Sequence, residues 1–328
     1  MTKSVNSAFD EFNKDIVNLL KERTDRARSS RGWLFNQLNG LDSKEDLDFP
    51  FIYDSKNINF GSFERRTKIR ELDDIDLMFC LTANDATYTK YSNNLYQINT
   101  PNAGQRLKNL SDSDVLNSRR VINKVKNSLS QIGNYKSAEL HSRGEAATLS
   151  LTSYEWVFDI VPCFYTDTGI YLIPDGNGNW KPTDPRIDQA RITEANQNKA
   201  GKLLQLIRTL KYWNRKNSSY TIGSYLFENL VINFANSKAD LDQWIDFNIR
   251  SFFSYLSTAI WYSVSDPKGF QGDLNNFSYS QKQSISQKAD WAYQKADEAI
   301  KAEVNDKDTQ KSINKWREIF GDNFPKYE

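Results

Sequence analysis

"NFGSFERRTKIRELDDIDLMFCL", residues 59–81, decides the fold. Its second half is apolar enough for a buried strand, yet Asp73, Asp74 and Asp76 interrupt it. Side chains alternate faces along a strand, so Asp74 and Asp76 share one face while Asp73 and Ile75 take the other. Two carboxylates buried side by side cost several kcal/mol unless a cation neutralises them, and hard oxygen ligands select Mg²⁺ or Mn²⁺. A D-x-D alone reads more readily as a solvated strand end. The residues before it shift that balance. Phe60-Gly61-Ser62 ends a strand with a small residue and a hydroxyl, which lets backbone N–H groups and a side chain approach a phosphate closely.

If two metals are to hold both an attacking hydroxyl and a triphosphate, a third acid is needed on a neighbouring strand. "YEWVFDIVPCF", residues 154–164, supplies Asp159 inside an otherwise apolar strand, where an unpaired carboxylate is costly. Glu155, four positions earlier on the same face, is a lesser candidate.

The flanking sequence sorts into two halves. Apolar residues at Phe9, Phe12, Ile16, Leu19, Leu20, Trp33 and Leu34 predict one long amphipathic helix from Ser7 to Phe35. The polar stretch 84–105 reads as connection. Val115, Val121, Ile122, Val125 and Leu129 then predict a helix, with Ser111 or Ser113 as its cap. Between Ser137 and Pro174 the pattern has period two and predicts adjacent antiparallel strands. "PDGNGNWKPTDPR", residues 174–186, reads as a break. Long helical patterns follow, so a helical lobe is expected from Asp188. The expected division is 1–187, an α+β core with a mixed or antiparallel sheet, and 188–328, a helical lobe, with a cleft between them.

Composition excludes several chemistries. Lys+Arg number 43 against Asp+Glu 42, so no global basic field points to duplex binding. The single histidine, His141, rules out multi-histidine zinc sites, HD-type phosphohydrolase centres and Ser-His-Asp triads with a spare general base, and reads as an ordinary surface residue. Cys80 and Cys163 lie in apolar runs and read as buried free thiols of a reducing compartment. The N-terminal segment lacks a signal-peptide core, and no stretch approaches about 18 apolar residues. A soluble, cytoplasmic protein is expected, without membrane partners.

Phe60-Gly61-Ser62, Asp74-Ile75-Asp76-Leu77 and Asp159, in that order, resemble the nucleotidyltransferase superfamily with the DNA-polymerase-β-like fold. "RTLKYWNRKNSSYTIGSYLFENL", residues 208–230, is similar to a segment shared by oligoadenylate synthetases, cGAS and the bacterial cGAS/DncV-like enzymes. "DPKGF" (266–270) and "INKWREIFGDNFP" (313–325) extend the likeness to the bacterial SMODS or CD-NTase group. The resemblance implies an α+β polymerase-β-like core with a helical C-terminal lobe. It further implies two Mg²⁺ (or Mn²⁺) on Asp74, Asp76 and Asp159, with Gly61, Ser62, Lys211 and Ser224 on the donor phosphates and Tyr225 stacked on the donor base. Trp213 reads as a core aromatic.

The implied activity joins nucleoside triphosphates, such as ATP or GTP, into a cyclic di- or trinucleotide second messenger. In CBASS antiphage defence a separate effector protein would read it. The alternative is a template-independent nucleotidyltransferase acting on an RNA or other acceptor. One histidine and two distant cysteines cannot build the zinc insertion of the animal DNA sensor, so activation by duplex DNA is not expected. The tail "FPKYE" departs from the small C-terminal residue through which some bacterial relatives are conjugated. Arg65, Arg66, Lys68 and Arg70 either guide triphosphates or form a solvated turn. Thr193 and Asn196 are candidates for base choice.

Overall fold

The computed structural model describes residues 4–136, 138–216 and 220–328. Ser137, at the start of the expected strand run, and 217–219, within the nucleotidyltransferase-like segment, lie outside the described residues.

Two parallel strands, Asp74–Leu81 and Val157–Tyr165, form the centre of an eleven-stranded mixed sheet. Antiparallel neighbours extend it: Ile58–Asn59 beside the first strand, Ala146–Ser150 and Tyr171–Pro174 beside the second. One face packs on a core that includes Ile75, Leu77, Phe79, Phe158 and Ile160. Alternation turns Met78, Cys80, Val161 and Cys163 to the other face, where they form a small apolar cluster. Cys80 and Cys163 are buried, free and opposite each other in register.

From Pro185 onward the chain is helical: Pro185–Asn198, Leu203–Lys216, Ser224–Asn236, Ile245–Ala259, Tyr279–Val304 and Thr309–Phe320. Asp184 caps the first of these, and Ser278 with Gln281 forms a capping box on the longest. These helices enclose a second core of Phe, Leu and Ile side chains. Among the described residues no helix is long and apolar enough to cross a membrane.

The expected N-terminal helix is broken in two. Val5–Phe12 continues as a π-helical turn, Asn13–Val17, and a second helix runs from Lys21 to Leu38. Phe9 and Phe12 pack into the helical half, whereas Ala27, Leu34 and Leu38 pack on the sheet. One straight helix cannot serve both cores. Asn18, extended at the break, receives Arg70 on its carbonyl and Arg208 on its side-chain oxygen.

The helix expected from Ser111 or Ser113 starts later, at Ser118, and its cap is Asn117, which accepts from the backbone N–H groups of Arg119 and Arg120. Ser113 and Asp114, both at positive φ, instead turn a hairpin between Ser111–Asp112 and Val115–Leu116. Thr87–Lys90 and Tyr96–Asn99 form strands within the supposed connection, and Trp180–Thr183 forms one within the supposed break. Trp180 is fully buried and its indole N–H donates to Leu116 O, an anchor that Gly and Pro neighbours concealed.

Candidate active site

The parallel register sets Asp76 directly opposite Asp159. Opposed residues on neighbouring strands point to the same face, so Asp74, Asp76 and Asp159 share it. Burial, then the charges of Asp74 and Asp159, push Asp76 up to about 7. Burial likewise raises Asp159, although Thr148 Oγ1 donates to its Oδ1 at 2.9 Å and opposes the shift.

Gly61 is pressed against this cluster. It has φ +76°, and a Cβ built on it would stand 1.7 Å from Asp76 Oδ2. Only glycine permits that approach, and its backbone is one that other residues adopt at a cost. The expected strand end is a one-turn helix, Gly61–Glu64, after which the N–H groups of Thr67 and Lys68 both donate to Ser62 O.

The Arg/Lys loop is not a solvated turn. Lys68 Nζ lies 2.5 Å from Asp74 Oδ1 and also contacts Asp73. Burial works against the Lys68 charge, but the two carboxylates prevail and hold its pKa up. Burial acts on Asp73 as well, and its bond to Lys68 nonetheless lowers its pKa. Arg65 reaches Glu228, and Arg70 donates to the carbonyls of Lys14 and Asn18. Arg66 is exposed.

Across the cleft, Lys211 Nζ donates to Glu228 Oε1 at 2.7 Å. Ser224 opens its helix and is exposed. The Tyr225 hydroxyl lies 2.8 Å from Asp188 Oδ1 and 2.9 Å from Asp266 Oδ1, and Lys268 Nζ sits 4.3 Å from the ring centroid. Asp266 in turn accepts from the N–H groups of Lys268, Phe270 and Gln271. Gly61, Ser62, Asp74, Asp76, Lys211, Ser224 and Tyr225 all line one cleft of ≈ 920 Å³. Asp159 lies beside Asp76 but outside that lining.

Other candidates fall elsewhere. Glu155 precedes the strand, is exposed and pairs with Arg23 at 2.7 Å. Thr193 donates to Gln189 O, and Asn196 Oδ1 accepts from Leu204 N–H, so both serve the helices and neither lines the cleft. Trp213 is buried, 4.7 Å from Phe253 centroid to centroid. His141 is exposed on Glu139–Arg143. Lys68 stood among four basic residues without being singled out, and Asp188, Glu228, Asp266 and Lys268 were missed as site residues. For the last pair a signal existed in the turn-forming Asp266-Pro267-Lys268-Gly269, whose glycine has φ +73°.

The donor set suits a hard divalent cation: oxygen ligands only, with more negative charge than their burial tolerates. Among the described residues no three His, Cys, Asp or Glu side chains converge closely enough to hold a metal ion. Asp74 turns to Lys68 and Asp159 to Thr148, which is how repelling carboxylates settle on nearby donors.

The Second Messenger Oligonucleotide or Dinucleotide Synthetase domain (SMODS) matches residues 105–196. A probable cyclic nucleotide synthase of Bacillus cereus is 48% identical over 337 residues, covering 100% of both chains. A cyclic AMP-AMP-AMP synthase of Escherichia coli is 23% identical and covers 95% of both. Among solved structures, E. coli CdnC with ATP superposes with TM-score 0.73 at 19% identity over 98% of each chain. The Vibrio cholerae DncV cyclic AMP-GMP synthase gives 0.72 at 12% identity, over 99% of this chain and 98% of that one. The fold and site define a nucleotidyltransferase. The chain belongs to the cGAS/DncV-like (CD-NTase) family of cyclic nucleotide synthases.

Proposed function

We propose that the cleft takes a nucleoside triphosphate with its phosphates against Gly61, Ser62, Lys211 and Ser224 and its base on Tyr225. What supports this reading is the in-register pairing of Asp76 with Asp159, with Gly61 pressed against Asp76 at the cleft wall. Asp74, Asp76 and Asp159 would hold two Mg²⁺ or Mn²⁺ ions, whose chemistry is to neutralise the carboxylates and polarise the reacting oxygens.

The ribose hydroxyl of a second nucleotide attacks the α-phosphate in line, giving up its proton as pyrophosphate leaves; a second such transfer closes a two-nucleotide ring, and a third closes a three-nucleotide ring. Thr148 fixes one oxygen of Asp159, which sets the direction of the other. Asp188 and Asp266 fix the Tyr225 hydroxyl and thereby the plane offered to a base. The product is a cyclic di- or trinucleotide made in the cytoplasm and read by a separate effector in antiphage defence.

Labelled nucleotide incubated with enzyme, Mg²⁺ and bulk RNA tests this against the acceptor-extending alternative. A small labelled product with RNA length unchanged is expected, and RNA lengthening overturns the reading. Lys211→Met is expected to raise KM for the triphosphate about tenfold, the order of one charge-assisted hydrogen bond; an unchanged KM removes Lys211 from the donor site.

A further inference from the structure

Glu228 lies on the helix Ser224–Asn236 with its side chain 3% exposed. Carboxylates are buried this deeply only when matched, and this one is matched three times. Lys211 Nζ and Thr67 Oγ1 donate to Oε1 at 2.7 and 2.9 Å, and Arg65 Nε donates to Oε2 at 3.1 Å. Burial alone would raise its pKa, yet Arg65 and Lys211 hold it below the usual range, so the group is anionic.

The three donors come from both sides of the cleft. Arg65 and Thr67 belong to the loop that follows Gly61, and Thr67 N–H holds Ser62 O at 2.9 Å. Lys211 comes from the helix Leu203–Lys216. Arg65 and Lys211 line the cleft, whereas Glu228 stands behind them, beside a small void it shares with Arg65, Asp188 and Tyr225. One cation would balance the charge of Glu228. The second gives the group Arg65, Lys211 and Glu228 one net positive charge, set among the cleft acids Asp76 and Asp188, and both long side chains are held before any substrate arrives.

We infer that Glu228 is a positioning residue that aims Arg65 and Lys211 at the donor triphosphate and ties the Gly61–Thr67 loop to the helical half. The inference rests on the assignment of Lys211 to the donor phosphates. It has a particular kinetic consequence. Glu228→Gln keeps the shape and removes the charge, so the wall becomes more positive and ground-state triphosphate binds at least as well, while the aim is lost.

Steady-state pyrophosphate release by wild type, Glu228→Gln and Lys211→Met, each measured well below its unfolding midpoint, tests this. Glu228→Gln is expected to lose on the order of 10²-fold in kcat, with KM for the triphosphate unchanged or lower. A purely structural Glu228 lowers the unfolding midpoint and leaves kcat of the folded enzyme alone, and that result overturns the inference. If Lys211→Met raises KM while Glu228→Gln keeps its kcat, the positioning role alone has failed. If Lys211→Met leaves KM unchanged, the donor-site assignment has failed and this inference falls with it. Should Glu228→Gln not fold, Thr67→Val removes a single donor from the same carboxylate. It is expected to cost kcat several-fold at constant KM, and an unaltered kcat overturns the proposal.

Discussion

Asp76→Asn is expected to abolish synthesis and, in EDTA above pH 7, to raise the melting temperature. Both effects have one cause. In the metal-free protein Asp76 sits near pKa 7, raised by burial and then by Asp74 and Asp159, against about 3.9 in the unfolded chain. Between those values the folded state keeps a proton that the unfolded state has released, so metal-free stability falls as pH rises from about 4 to 7 and the penalty is complete above. Asparagine cannot ionise and removes it, a gain of up to about 4 kcal/mol, which reads as several degrees of melting temperature in a chain of this size. Mg²⁺ should stabilise the wild type and leave the variant unmoved, because the variant has lost a ligand. Thermal melts with and without EDTA at pH 5 and pH 8 check this. A variant less stable than wild type at pH 8 in EDTA, or one that still gains from Mg²⁺, contradicts the role given to Asp76.

Gly61→Ala should remove at least about 10²-fold of kcat, the cost of displacing reacting groups by roughly an ångström. The new methyl would lie 1.7 Å from Asp76 Oδ2 and 2.6 Å from its Cγ, at a φ of +76°. The backbone strain costs about 1–2 kcal/mol, and relief requires the Asp76 side chain to swing away from Gly61. Gly133→Ala is the control, since a Cβ there meets nothing within 4 Å. Wild-type kcat in Gly61→Ala would show that the close approach is not needed for turnover.

What was legible in the sequence were the features that depend on neighbours in the chain. Asp74 and Asp76 on one strand face, an apolar strand broken by Asp159, and the helical half from its periodic segments all follow from spacing. The helix break at Asn18 was hidden because its cause lies in Arg70 and Arg208, far along the chain. Trp180 makes a strand of a Gly/Pro-rich segment through a bond to Leu116, which no local pattern carries. Glu228 lies inside the segment 208–230, but its importance comes from Arg65 and Thr67, 163 and 161 positions away. Lys68 was visible as one charge among four, and only the fold shows that it, and not Arg66, meets the acids.

The measurement that bears most directly on the central claim is mass spectrometry of the products made from all four NTPs with Mg²⁺ or Mn²⁺, after phosphatase treatment. The account predicts a phosphatase-resistant cyclic oligonucleotide, whose mass identifies its bases and ring size and which is absent with Asp74→Asn. Products that are only linear and phosphatase-sensitive, with wild-type enzyme and metal present, would contradict it.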